Sequence, residues 1–369
     1  MSRVLDFAKR EPVLLISALA AAVSCFFVPP DAAYLGYIDF RTLALLYALM
    51  LVVAGLRKAG VFAHLAHLAV ARAGSVRAMA ALLTALSFFS SMLITNDVAL
   101  LTFVPFAVVL LGMTGRKDDL PRVVVLQTVA ANLGSMLTPV GNPQNLYIYS
   151  RYDLSAAEFF RVTGPVWALS LALVLLLCLT LPKAETQAYL GEEPGVDRKR
   201  LRLYAALFVV CLLAVFRVLP WQAMLAIVAA ALLALDRRVL LEADFFLLLT
   251  FAAFFVFSGN LARLPAVAGL LRSALDGREY LTALLASQIV SNVPAALLLS
   301  GFTDNARALL LGVDVGGLGT PIASLASLIS LKLYSRTSDA KMGKFLAEFT
   351  LVNIALLLVL SVAVVLLYR

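Results

Sequence analysis

Apolar residues run through almost the whole chain in stretches of about 20, and this pattern constrains the fold more than any other feature of the sequence. Of the 369 residues, 62% are hydrophobic and 14% are charged. A soluble domain is about 45–50% apolar and about a quarter charged. An apolar excess spread over the full length cannot be buried in one soluble core. The sequence therefore predicts an all-α integral membrane protein with many spans.

The apolar runs differ in how they are interrupted. Two long runs, 121–151 and 305–335, contain proline, glycine and amide residues and predict broken helices. Two others, 79–113 and 280–303, carry a polar tripeptide at the centre, and their arms of roughly 10 to 16 residues are too short to cross the hydrocarbon. These two predict re-entrant hairpins. The seven uninterrupted runs lie at about 12–29, 41–57, 161–182, 200–219, 220–236, 243–260 and 345–368. Together with the two broken helices they give about nine transmembrane helices, in addition to the two hairpins.

Basic residues flank the apolar runs and form no patch of their own. With the N-terminus inside, most of the 30 lysines and arginines lie on the cytoplasmic side, as the positive-inside rule requires. The loop 29–40 has neither residue type and is predicted to lie outside. The expected location is the inner membrane, with a cytoplasmic N-terminus and an external C-terminus. The net charge of +8 follows from this topology and does not indicate a nucleic-acid partner.

The two broken helices share a motif. Residues 134–146 align without gaps on 316–328, with identical Gly, Thr, Pro and Leu at matching positions, and each motif follows a hairpin. The order span, hairpin, broken helix, span thus occurs twice, in 1–183 and 220–369, with a linker and a connecting span at 184–219. An odd number of spans separates the equivalent starts, which inverts the second copy. Inverted repeats with broken helices are typical of secondary transporters, whose site lies at the midplane between the copies.

Each helix break exposes backbone groups at membrane depth. Pro139, Gly141 and Pro143 must interrupt the first helix, because a proline lacks an N–H and clashes with the preceding turn. The freed carbonyls suit a small cation such as Na+, and the start of the following half-helix offers N–H groups to an anion. The candidate binding residues at the two breaks are Thr138, Gly141, Asn142, Gln144, Asn145, Thr320, Ser324 and Ser327.

The hairpin tips supply the opposite wall of the predicted site. They read Thr-Asn-Asp at 95–97 and Ser-Asn-Val at 291–293, and such residues also cap helix N-termini. A purely capping role is the alternative, but it does not explain why a hairpin enters the membrane. The candidate binding residues at the tips are Thr95, Asn96, Asp97, Ser291 and Asn292.

Two acidic residues lie at membrane depth, Asp97 in the first tip and Asp314 before the second break. An ionisable group inside a bilayer is costly and usually lies on an ion or proton path. Asp97 is therefore the predicted binding group for a coupling cation. Asp314, which aligns with Asn132, is the second candidate, with a role as a cap or as a hydrogen-bond partner of a neighbour as its alternative.

The remaining polar residues do not predict an enzyme. The basic residues around His64 and His67 favour an amphipathic helix at the cytoplasmic interface over a metal pair. The three cysteines each lie inside an apolar run, so neither a disulfide nor a metal motif is expected. The sequence contains no zinc signature, phosphate loop or nucleophile elbow. A membrane phosphatase or protease that requires Asp97 is the alternative from a different class.

Together, the two tips and the two breaks resemble those of the ion transporter superfamily, which includes divalent anion/sodium symporters, citrate-type anion permeases, arsenite permeases and a branch of sodium/proton antiporters. In its carboxylate transporters each tip reads Ser-Asn-Thr, and the tips and breaks hold sodium ions and the substrate carboxylates. The resemblance implies a homodimer with an elevator-like motion. It assigns site roles to Thr95, Asn96, Asn142, Ser291, Asn292 and Ser324.

Two positions depart from that pattern, because Asp97 and Val293 stand where the carboxylate transporters have Thr. A carboxylate at position 97 repels a dianionic substrate unless a proton or a cation neutralises it. The acidic residue is closer to what the arsenite and antiporter branches have.

The sequence thus supports an ion-coupled secondary transporter for a small inorganic or organic anion. Sodium is the expected coupling ion, with a proton as the alternative, and no other cofactor is expected. A sodium/proton antiporter that uses Asp97 and an arsenite-type efflux permease are the alternative functions. The predicted sodium positions are Asn96, Asp97 and Asn142 in one half, and Asn292 and Ser324 in the other.

Overall fold

Helices make up most of the residues that the computed structural model describes, which are 11–71, 73–185, 193–338 and 340–368. No strand is present within these ranges. The prediction of an all-α protein is therefore confirmed.

The helices fall into two successive sets with one helix between them. The first set is α1 (Pro12–Phe27), α2 (Tyr34–Tyr37), α3 (Phe40–Lys58), α4 (Val61–Ala71), α5 (Val76–Ile94), α6 (Asn96–Met113), α7 (Leu120–Ser135), α8 (Pro143–Arg151) and α9 (Ala156–Cys178). The helix between the sets is α10 (Arg198–Val215). The second set is α11 (Trp221–Leu235), α12 (Phe245–Ala262), α13 (Pro265–Leu275), α14 (Glu279–Val290), α15 (Asn292–Leu299), α16 (Ala306–Gly316), α17 (Leu325–Ser335) and α18 (Met342–Leu367).

The two hairpins differ in length. The arms of the first, α5 and α6, have 19 and 18 residues, or about 28 and 27 Å at 1.5 Å per residue. That length nearly matches the hydrocarbon thickness of about 30 Å, so the prediction of arms too short to cross was wrong for this hairpin. The helix begins already at Val76, where Ser75 caps it, upstream of the predicted start. The second hairpin has arms of 12 and 8 residues, which are short enough to be re-entrant.

Six helices in the described part of the chain are long and apolar enough to cross a membrane: α3, α5, α6, α9, α12 and α18. Two of them are the arms of the first hairpin. The count of nine spans stays a prediction, as does the inverted orientation of the two halves. Sequence reasoning also missed α13, a short apolar helix that starts at Pro265.

The helices pack as two bundles. The flanking bundle consists of α1, α3, α10, α11 and α12, and the hairpin bundle consists of α5 to α9 and α14 to α18. Their main direct contacts are between α3 and α8 and between α12 and α15, while α4 and α13 contact helices of both bundles. Equivalent helix pairs recur in the two halves. Within each half, α5 packs on α7 and α14 packs on α16; between the halves, α1 packs on α12 and α11 packs on α3.

Glycines let the first arm of each hairpin approach the helix that precedes each break. A Cβ atom at Gly134 would lie 2.0 Å from the carbonyl oxygen of Phe88, and one at Gly316 would lie 2.9 Å from the Ser287 side chain. Small residues at such crossings allow backbones to pack closely in a membrane. The shared glycine of the two motifs is thus explained by hairpin packing.

In the first break, one amide satisfies the carbonyls that the interruption frees. Asn145 Nδ2 lies 3.4 Å from the carbonyl oxygens of Ser135 and Met136 and 3.3 Å from that of Thr138. The Thr138 hydroxyl donates to the Met92 carbonyl in the hairpin arm. The break is therefore tied both to itself and to the hairpin.

In the second break a different residue performs the same task. Gln288 Nε2 donates to the carbonyl oxygens of Gly316 at 2.8 Å and Leu318 at 3.0 Å, and Gln288 Oε1 accepts from the Thr320 N–H at 2.9 Å. The Thr320 hydroxyl donates to the Gln288 carbonyl at 3.1 Å, as Thr138 does to Met92. When the hairpin tips are aligned, Gln288 falls on Met92. The amide thus comes from the broken helix in one half and from the hairpin in the other.

We expect Gly134→Ala to destabilise the protein severely, because the new methyl group collides with backbone rather than with a movable side chain. Overpacking of this kind costs about 1 to 3 kcal/mol or more. The midpoint of thermal unfolding in detergent measures the loss. Gly164→Ala is the matched control, since a Cβ atom there meets nothing within 4 Å. Equal midpoints for the two variants would contradict the close approach of α5 and α7.

We expect Gln288→Met to lower the unfolding midpoint, because it removes the donor from two carbonyls and the acceptor from one N–H. Each unsatisfied buried polar group costs about 1 to 3 kcal/mol. The exposed Gln222→Met is the control, and it should leave the midpoint unchanged. A Gln288→Met protein as stable as the wild type would show that the second break does not depend on this amide.

Candidate ion and substrate site

The two hairpin tips have the same strained backbone. Thr95 has φ +70° and ψ 151°, and Ser291 has φ +75° and ψ 153°. This region is used almost only by glycine, and a residue with a side chain there costs about 1 to 3 kcal/mol. Both tips therefore hold a hydroxyl residue in the same costly backbone conformation.

Each tip is hydrogen-bonded to the break of its own half. The Asn96 N–H donates to the Gly141 carbonyl at 3.3 Å, and the Asn292 N–H donates to the Ala323 carbonyl at 2.9 Å. The side-chain oxygens of Asn96 and Asn292 accept from the next N–H in the chain. The N-termini of α6 and α8 therefore meet in one half, and those of α15 and α17 meet in the other.

Asn132 joins the two halves. Its Oδ1 accepts from Asn96 Nδ2 and from Ser324 Oγ, both at 3.0 Å. Its Nδ2 lies 3.4 Å from the Gly317 carbonyl oxygen and 3.5 Å from Ser327 Oγ. Asn132 thus connects the first tip to the second break, and all four half-helix N-termini lie around one region. Sequence reasoning missed it as a site residue, although its alignment with Asp314 was the available signal.

Asp314 makes the matching contact from the other half. Its Oδ1 accepts from Gln144 Nε2 at 3.3 Å, and the side chain is 3% exposed. Helix α7, which precedes the first break, therefore contacts the start of α17 in the second half. In the same way α16, which precedes the second break, contacts the start of α8 in the first half. The two contacts differ in charge, because one half supplies an amide and the other a carboxylate.

Several buried oxygens at this region have no hydrogen-bond partner among the described residues. Asn142 Nδ2 donates to Ser135 Oγ at 2.6 Å, which leaves the amide oxygen of Asn142 unused. Burying an oxygen without a partner is unfavourable, and carboxylate and amide oxygens are the ligands that hard cations prefer. The unpartnered oxygens are Asp97 Oδ1, Asn142 Oδ1, Asn145 Oδ1 and Asp314 Oδ2. Their chemistry suits Na+ or, at the carboxylates, a proton.

Four predicted site residues contact backbone carbonyl groups of the hairpins and breaks, so they are not free to bind a ligand. The hydroxyls of Thr138 and Thr320 bind carbonyls of the hairpin arms. A Cβ atom at Gly141 would lie 2.1 Å from the Ser135 carbonyl oxygen. The Ser291 hydroxyl donates to the Ala323 carbonyl at 3.4 Å. These residues hold each break against its hairpin.

The histidine pair lies elsewhere, on α4. His64 Nδ1 lies 3.1 Å from the Glu193 carboxylate. In the described part of the chain no three His, Cys, Asp or Glu side chains come together as a metal-binding group.

Known proteins with similar sequences include an inner membrane protein and uncharacterized transporters. The chain is 36% identical to the inner membrane protein YbiR of Escherichia coli over 317 residues, which is 84% of each chain. It is 34% identical to an uncharacterized transporter of Methanocaldococcus jannaschii over 276 residues, 74% of this chain and 76% of the relative. The membrane-enzyme alternative is therefore dropped.

A solved structure shares the fold. The YdaH transporter of Alcanivorax borkumensis superimposes with a TM-score of 0.59 over 95% of this chain and 96% of its own, at 16% identity. At this identity the likeness shows the fold alone. The family model described as "Citrate transporter" matches residues 7–309. The chain therefore belongs to the citrate transporter family and is a secondary transporter, which confirms the resemblance to the ion transporter superfamily.

Proposed function

We propose that the protein couples the transport of a small carboxylate or inorganic anion to Na+, with both bound where the tips and breaks meet. One observation carries the proposal: four half-helix N-termini and two buried carboxylates share this region. An N-terminus carries a partial positive charge of about half an elementary charge and free N–H groups. Four of them favour an anion.

The carboxylates explain the need for a coupling cation. Asp97 and Asp314 both present an oxygen that lacks a partner among the described residues, and together they would repel an anion. One Na+ at each carboxylate neutralises this charge, and the free oxygens of Asn142 and Asn145 add ligands for the Na+ at Asp97. The anion then binds only to the cation-loaded site, which is the condition for coupled transport.

The two halves supply unequal cation positions. Asp97 follows Asn96, whose N–H donates to the Gly141 carbonyl in the first break. Asn142 is the residue after Gly141, so the first cation position combines Asp97 with Asn142. The second combines Asp314 with Gln144, and Asn292 and Ser324 line its edge. A homodimer with a cytoplasmic N-terminus and an external C-terminus in the inner membrane is part of the same proposal.

A sodium/proton antiporter is the second candidate, because Asp97 and Asp314 suit proton exchange without any anion. The two functions separate in one measurement on the purified protein. The unfolding midpoint is recorded with citrate or sulfate, each in sodium and in choline buffer. A ligand that binds only the folded state raises this midpoint by mass action. Additional stabilisation by an anion, seen only in sodium, supports the symporter, whereas stabilisation by sodium or pH with no effect of any anion supports the antiporter.

We expect Asp97→Asn to weaken sodium-dependent stabilisation strongly, because the neutral amide cannot balance the charge of the cation at the first of the two positions. In the wild type, sodium at 100 times its dissociation constant adds about 2.7 kcal/mol. The exposed Asp276→Asn is the control and should respond to sodium as the wild type does. A full sodium response in Asp97→Asn would remove this residue from the cation site.

We expect Asp314→Asn to make the sodium dependence less steep rather than to abolish it, because one of two cation positions is lost. The slope of anion uptake against sodium concentration in proteoliposomes measures this. An unchanged slope would assign Asp314 to hydrogen bonding with Gln144 alone.

A further inference from the structure

A polar cleft lies between the two bundles, away from the tips. Its volume is about 440 Å³, and it is situated where α3 and α12 meet α8 and α15. The residues of interest in its wall are Asp39, Arg41, Tyr147, Arg151, Ser258 and Ser300. Loop residues 36–38 also line it, so the cleft lies on the face predicted to be outside.

The cleft and the proposed binding site occupy opposite ends of the same short helices. Tyr147 and Arg151 lie in the last turns of α8, whose first turn follows Asn142. Ser300 follows the end of α15, which begins at Asn292. Six residues separate Asn145 from Arg151, about 9 Å along a helix. An anion in the cleft is therefore one short helix away from the tips and breaks.

Two arginines supply charged donors to the cleft. Neither Arg41 nor Arg151 forms an ion pair within the described part of the chain. Asp39 is the acidic residue in the wall, and it is occupied in capping α3, where its carboxylate accepts from the N–H and the hydroxyl of Thr42. The C-termini of α8 and α15 add partial negative charges of about one half each. With the Asp39 carboxylate they balance the two arginines, so an anion is attracted here by the directed guanidinium donors and not by a net positive charge.

The donors face the cleft from both bundles. Arg41 belongs to the flanking bundle and Arg151 to the hairpin bundle. The Tyr147 hydroxyl lies 2.7 Å from Ser300 Oγ, and the Ser300 hydroxyl donates to the Leu297 carbonyl at 3.2 Å, so the hydrogens of this pair are already used and the free donors are those of the arginines. Guanidinium groups bind carboxylates and oxyanions through paired N–H donors. This donor set fits a ligand with several anionic oxygens.

We propose that this cleft is a second anion-binding site, which captures the anion before it reaches the tips and breaks. The inference rests on the proposed anion transport. The ligand class is a small oxyanion, either a carboxylate or an inorganic oxyanion. Because the two arginines come from different bundles, a bound anion also links the bundles at this face.

The test uses Arg41→Gln and Arg151→Gln in the full-length protein, with citrate and sulfate as probes. The unfolding midpoint is measured against the concentration of each probe in sodium buffer. A charge-assisted hydrogen bond contributes about 1.5 to 3 kcal/mol, so each variant should raise the half-stabilising concentration about tenfold or more. Arg161→Gln, an exposed arginine at the start of α9 with its side chain outside the cleft, should have no effect.

Arg→Lys at each position should recover part of the affinity, because charge is kept and the paired donors are lost. The carboxylate and the inorganic oxyanion are distinguished by which probe loses affinity in the arginine variants. Sodium-dependent stabilisation without anion should be unchanged in these variants, which separates their effect from that of Asp97→Asn. An unchanged anion response in both arginine variants, or an equal loss in Arg161→Gln, would overturn the second site alone. A wild type that binds and transports neither probe would overturn the anion transport proposal and the second site together.

Discussion

The structure depends on how the backbone is satisfied where two helices are interrupted inside an apolar medium. A freed carbonyl or N–H at membrane depth costs several kcal/mol unless a partner is supplied. One amide closes each break, Asn145 in the first and Gln288 in the second, and a threonine ties each break to its hairpin. Only because these groups are satisfied can the remaining polar atoms of the breaks face a ligand.

The two halves share a backbone and differ in their side chains. The tips have nearly identical dihedral angles, and each donates an N–H to its own break. At the equivalent positions before the breaks, however, one half has Asn132 and the other Asp314. The amide can donate and accept at once and binds four partners, whereas the carboxylate only accepts and keeps a free oxygen. Two halves with similar backbones thus carry different polar groups, and we propose that a bound cation balances the charge of the carboxylates.

Much of the fold followed from local sequence. Single prolines such as Pro105 and Pro165 lie inside continuous helices. Proline clustered with glycine and polar residues interrupts a helix, so the breaks around Pro139 and Pro321 were predictable, and so were the polar tips. The length of the first hairpin was not, because the helical start at Val76 depends on a cap at Ser75 rather than on hydropathy. The role of Gln288 in closing the second break was not predictable for a similar reason. A glutamine in an apolar arm gives no sign of which carbonyls it will meet.

By itself the sequence determined the membrane class, the helical fold, the repeated motif and the residue types at the tips and breaks. These follow from composition and from the conformations that each residue type allows. Only the tertiary structure decided that Asn96 meets Asn132, that Asn132 meets Ser324, and that Arg41 and Arg151 face one cleft. Such contacts join residues far apart in the chain, and they depend on how the helices pack, which no local pattern encodes.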